Sequence, residues 1–177
     1  MGEIKYPEPK KIICGFIYSA EPVYEKAAAE MKMVYGETDF VSEPVPFIHT
    51  RYYGTEGREG LKRRFISFKK NADPGLLPDI KITANELEKK YLRENGERKI
   101  NIDPGMLSMA KVILATTKNY QHRIYAGKGI FAEVTLRYSG KKKSFIPWEW
   151  TYPDYAAEEY INIFNKIRQI YALSLVR

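Results

Sequence analysis

The chain has 177 residues and 44% hydrophobic content, enough for a real core, which excludes a disordered chain. No window approaches the roughly 18 apolar residues of a membrane span, and residues 1–11 are charged with no apolar core of a signal peptide behind them. A net charge of +7 favours nucleic acid, nucleotides or anionic metabolites over cationic ligands.

Residues 12–19 read as a strand, short and apolar, ended by Ser-Ala-Glu-Pro. Pro22 suits the first turn of a helix, and Tyr24, Ala27, Ala28, Met31 and Val34 or Tyr35 follow at helical spacing until Gly36. Residues 40–49 are extended and interrupted by Pro44 and Pro46, as in an edge strand. A glycine-containing loop covers 50–61, and 64–70 is a strand with Phe65 opposed to Ile66 and Phe68. Asp73-Pro-Gly is a turn. A helix is expected from about 76 to 95, capped by Gly96, then a strand over 99–102 stopped by Asp103-Pro104-Gly105. The order β-α-β-β-α-β over 12–103 predicts an α+β fold, a ferredoxin-like antiparallel sheet with two helices on one face.

Residues 106–177 extend this core within a single domain. The segment 107–117 has Val112-Ile113-Leu114 and is read as a strand, though its spacing also allows a helix. Residues 122–126 and 129–138 form a hairpin around Gly127-Lys128-Gly129. An aromatic linker covers 148–155. The terminal helix runs from 155 to 177, with Tyr160, Ile163, Phe164, Ile167, Tyr171 and Leu175 on one side.

Polar groups inside apolar strands are costly unless paired or used, and they concentrate between 101 and 155. Strict alternation over 130–138 puts Ile130, Ala132, Val134, Leu136 and Tyr138 on one face, and Glu133, Thr135 and Arg137 on the other. With Arg123 from the hairpin partner, two guanidiniums and a carboxylate would converge, a pattern that holds phosphate or carboxylate. Lys118, Arg123 and Arg137 are the candidate anion ligands, with Asn101 and Asp154 beside them. His122, Glu133 and Asp103 are the candidate acid–base groups. A structural His, an ordinary turn at Asp103 and a solvated strand face are the plain alternatives. His49 and the aromatic-basic run Arg51-Tyr52-Tyr53 carry less weight.

No HxxE, HxH or CxxC spacing supports a metal, no cofactor is indicated, and GxxxxGK[ST] and GxSxG are missing. The lone Cys14 permits no intrachain disulfide and fits a cytoplasmic protein. Two function classes follow, with a scaffold that binds no ligand as a third. The first is a protein that binds an anionic small molecule or a nucleotide, and as an enzyme would act on it. The alternative is an RNA-binding module using an open sheet face, its tyrosines and Lys62-Arg63-Arg64.

Seven segments resemble a prokaryotic family of unknown function, family 4416. They are Asn-Ile-Asp-Pro-Gly at 101–105, Leu-Ala-Thr-Thr-Lys at 114–118, His-Arg-Ile-Tyr at 122–125, Ala-Glu-Val-Thr-Leu at 132–136, Thr-Tyr-Pro-Asp-Tyr at 151–155, Leu-Lys-Arg-Arg-Phe at 61–65 and Thr-Ala-Asn-Glu-Leu at 83–87. The resemblance spans nearly the whole chain and implies no activity, but it directs attention to 101–155.

Overall fold

The computed structural model describes residues 2–48 and 60–176. His49, Arg51, Tyr52 and Tyr53 lie outside the described residues. The fold is α+β, built among the described residues on an antiparallel sheet of nine strands with three α-helices.

The first half contains β1 (Lys10–Tyr18), α1 (Glu21–Tyr35), β2 (Thr38–Val41), β3 (Val45–Pro46), β4 (Lys62–Ala72), α2 (Leu77–Lys90) and β5 (Ile100–Leu107). The second half adds β6 (Lys111–Thr116), β7 (Arg123–Gly127), β8 (Ile130–Ser139), β9 (Ser144–Pro147) and α3 (Glu158–Ser174). The sheet order is β2-β4-β1-β5-β6-β8-β7, with β3 on β4 and β9 on β8.

Each face of the sheet is covered. Ile12, Cys14, Phe16 and Tyr18 of β1 pack with Tyr24, Ala27 and Met31 of α1 and Leu77, Ile80, Ala84 and Leu87 of α2. On the other face Ile13, Phe65, Leu107, Val112 and Leu136 pack with Tyr160, Phe164, Ile167 and Tyr171 of α3. The helical spacing of those apolar residues is what lets each helix bury one stripe. α1 starts beside Ala20 with Pro22 in its first turn and ends at Gly36, whose φ is 87°.

Four expectations need correcting. α2 ends at Lys90 rather than near 95, and Gly96 sits in a turn closed by a bridge between Leu92 and Arg98. β5 is not stopped by Asp103-Pro104-Gly105 but runs through it, because β1 pairs along its whole length, with Gly15 opposite Asp103 and Cys14 opposite Pro104. The sheet is larger than the expected core and hairpin, and β9 is an additional strand. Finally, β8 does not alternate strictly. Val112 of β6 faces Leu136 while its neighbour Ile113 faces Val134, so Thr135 is an extra, bulged residue. Ile130 and Ala132 therefore pack toward α1 and α2, whereas Leu136 and Tyr138 pack toward α3.

Candidate functional site

The sheet forks between β5 and β6. The two strands pair only from Gly105–Leu114 to Leu107–Val112, and beyond that point they separate. Pro104, which has no N–H to donate, stands where the pairing ends. At Ile102, two residues earlier on the same edge, the backbone groups are taken by α2. The Ile102 N–H donates to Glu88 Oε1 at 2.6 Å, and its carbonyl accepts from Lys81 Nζ at 2.9 Å. Lys81 and Glu88 lie seven residues apart, two helical turns, on the buried side of α2. Helix side chains thus replace the missing strand.

The fork opens into a cavity of about 830 Å³. Its wall holds five cationic residues, Arg63, Lys81, Arg98, Lys118 and Arg123, against three carboxylates, Asp103, Glu133 and Asp154.

Arg63 of β4 is the deepest charge of this wall, 2% exposed. Its Nη1 donates to Asp103 Oδ2 at 2.7 Å and its Nη2 to Asp154 Oδ2 at 3.0 Å. The guanidinium also lies over the rings of Phe47, Phe65 and Tyr155, 5.1 to 5.5 Å from their centroids. Gly15 makes this possible, since a Cβ there would come within 2.9 Å of both Arg63 Nη1 and the Phe65 ring. Burial opposes the charge of Arg63, but its surroundings, Asp103 and Asp154 among them, outweigh it and keep the group protonated. Burial likewise pushes Asp103 upward, yet Arg63 and Lys81 hold its carboxyl below the ordinary value. Tyr155 is 3% exposed, and its hydroxyl has no hydrogen-bond partner among the described residues. Burial holds that hydroxyl protonated, hence a donor.

At the other end, Glu133 of β8 joins two candidates. Its Oε2 accepts from Arg123 Nε at 2.8 Å and lies 3.1 Å from His122 Nε2. Arg123 further donates to the Lys118 carbonyl at 3.0 Å and to the Tyr152 hydroxyl at 3.3 Å. His122 stacks on Trp150, which stacks on Trp148. His122 lines an adjoining cavity of about 600 Å³ that shares Lys118, Arg123 and Tyr152 with the first.

The bulge at Thr135 builds this end. Its carbonyl accepts from Thr151 Oγ1 at 2.6 Å, and the Val134 carbonyl accepts from Trp150 Nε1 at 3.1 Å. These bonds dock the linker that delivers Tyr152, Asp154 and Tyr155 to the cavity.

Of the residues expected from sequence, Asn101, Asp103, Lys118, Arg123, Glu133 and Asp154 surround one cavity, with His122 directly behind Glu133. Arg137 is a correction. The bulge turns it to the opposite sheet face from Glu133, where it lies over Trp148 at 4.7 Å, so it does not meet Arg123. Arg63, Lys81, Arg98 and Tyr155 were missed. For Lys81 a signal existed, a charge at a position of the apolar stripe of α2. Cys14 is fully buried and burial pushes its thiol up, which suits a packing residue.

The model for a domain of unknown function, DUF4416, matches residues 8–171. The chain belongs to the DUF4416 family. A search of curated proteins and of solved structures finds no match. The family match spans every strand and most of α3, so the fork and both of its charged ends lie inside the DUF4416 region.

Arg63 is buried, Arg64 lies over Tyr24 and pairs with Glu21, and Lys62 also pairs with Glu21. The α3 helix covers the sheet face that carries Phe65. Among the described residues no helix is long and apolar enough to cross a membrane.

Proposed function

We propose that this DUF4416 protein binds a phosphorylated or carboxylated small molecule, a nucleotide included, in the fork between β5 and β6. The observation that carries the reading is the cavity of about 830 Å³ with five cationic residues and three carboxylates on its wall. A wall with excess positive charge and low-dielectric sides favours an anion. Opening a sheet in its interior sacrifices ladder hydrogen bonds, and the Lys81 and Glu88 bonds to Ile102 support a fork held open for use. His122, Glu133 and Asp103 stand close enough to the cavity to move a proton for such a ligand. The order β2-β4-β1-β5 with α1 and α2 on one face supports a ferredoxin-like core beneath this extension. A reducing cytoplasmic location fits the buried lone Cys14.

Thermal unfolding with added inorganic phosphate, nucleotides and sugar phosphates tests the reading. A ligand at a hundredfold its Kd stabilises by about 2.7 kcal/mol, because it binds the native state alone. The Arg123→Ala variant should lose most of that increment. Replacing exposed Lys142 should leave it intact. Equal effects of the two substitutions, or no shift with any anion, would refute the assignment.

A further inference from the structure

We infer that the ligand of the fork is a polyhydroxylated acid, with its anionic group at the Lys118–Arg123 end and its hydroxyls on Asp103 and the amides beside it. This rests on the anion-binding reading above and specifies the uncharged part of the ligand.

A simple anion does not suit the whole wall. Asp103 lines the cavity with its side chain 29% exposed, one of its oxygens is bound by Arg63, and it also accepts a hydrogen bond from Asn101. The two cations Arg63 and Lys81 keep it ionised. An ionised carboxylate only accepts, so a phosphate or carboxylate oxygen against it meets like charge and no hydrogen. Whatever faces Asp103 must bring hydrogens.

Those hydrogens are not those of an ammonium group. Asp103 and Asp154 already face Arg63 and Lys81, two negative charges with two positive ones. That set is already neutral, and in a wall of five cationic residues and three carboxylates a further cation is disfavoured. Neutral O–H donors meet no such penalty. The neighbouring wall is mixed in the same sense. Asn85, Thr116 and Thr117 can each donate and accept, and Asn101 stands beside them with its carbonyl oxygen taken by Arg98. A carbon skeleton bearing several hydroxyls satisfies such groups together.

The anionic pole lies at the far end. Arg123 uses Nε, one N–H of Nη1 and one of Nη2 on Glu133, Lys118 and Tyr152. A guanidinium has five N–H donors, so about two remain for an oxyanion.

The test is calorimetric titration of the intact protein with matched pairs. A pentose 5-phosphate is compared with n-pentyl phosphate, a hexose 6-phosphate with n-hexyl phosphate, and gluconate with hexanoate. The last pair distinguishes a carboxylate pole from a phosphate pole. At least one hydroxylated member should bind tenfold or more tighter than its alkyl partner. Asp103→Asn, and independently Asn85→Ala at a half-buried position of the wall should Asp103→Asn not fold, should shrink that margin at least threefold while leaving the alkyl acid within twofold. Equal affinity within every pair, or equal losses for both members in the variants, overturns the inference and leaves the anion reading standing. No binding by any of the six acids overturns both.

Discussion

Arg63 sits in a run, Lys62-Arg63-Arg64, that reads as a basic surface patch, yet it is the most buried charge of the site. It bridges β4, β5 and the linker through Asp103 and Asp154. Breaking a buried ion network by removing one partner strands the others, at a cost of about 3–5 kcal/mol. Arg63→Met should therefore lower the stability measured by urea unfolding by that amount, far more than Lys62→Met. Asp103 adds a pH dependence. Its carboxyl is held below the ordinary 3.8, so the folded protein keeps it ionised at acidities where the unfolded chain has protonated it. Its contribution is complete above that ordinary value and is lost as pH falls through the depressed folded value. Urea midpoints followed from pH 6 downward should drop below about pH 4, and Asp103→Asn should remove part of that drop. An unchanged acid limb in the variant would place the sensitivity elsewhere.

The fork belongs to the scale of elements. β5 is paired to β1 along its whole length and to β6 at one end only. Gly105 marks the last close approach, because a Cβ there would overlap the Ile113 carbonyl and lie 2.9 Å from Leu114 Cδ2. Gly105→Ala should cost about 1–3 kcal/mol, as overpacked sites do, and should loosen the β5–β6 ladder. Amide exchange at Met106 and Ile113 would report it. Beyond the ladder, Glu88 holds both the Ile102 N–H and Arg98. Glu88→Ala leaves a buried donor unsatisfied, a loss of about 1–3 kcal/mol. The Ile102 amide should then exchange faster, while amides in the β1–β4 ladder keep their protection relative to global stability. Protection at Ile102 equal to the parent would show that the strand does not depend on α2 there.

At the scale of the whole molecule, α3 closes the second face. Tyr160, Phe164, Ile167 and Tyr171 cover Phe65, Leu107, Val112 and Leu136, and the Tyr171 hydroxyl donates to the Pro9 carbonyl at 2.8 Å. A chain ending before residue 158 would expose that apolar sheet face, a patch larger than soluble surfaces tolerate. Such a truncation should bind a hydrophobic dye and lose cooperative unfolding. Retention of a sharp transition would mean the other face alone suffices.

Local chemistry made several parts legible in the sequence. α1 was written in Pro22, the stripe Tyr24-Ala27-Ala28-Met31 and Gly36, all within 15 residues of one another. α3 was legible for the same reason, its inward stripe being a property of one segment, and so was the hairpin of β7 and β8 around Gly127-Lys128-Gly129. The residue types of the site also showed, because Asn101, Asp103, Lys118, Arg123, Glu133 and Asp154 are polar among apolar neighbours. What tertiary structure decided is everything that depends on a distant partner. Asp103-Pro104-Gly105 has turn chemistry, but pairing with β1 draws it into a strand. The Thr135 bulge is fixed by β6 and by Thr151, so it separates Arg137 from Arg123 although simple alternation puts them together. Arg63 is buried because Gly15, Asp103 and Asp154, from 40 to 91 residues away, make room and counter-charge for it. Periodicity and turn propensity are short-range; register, burial of charge and the fork come from packing between segments far apart in the chain.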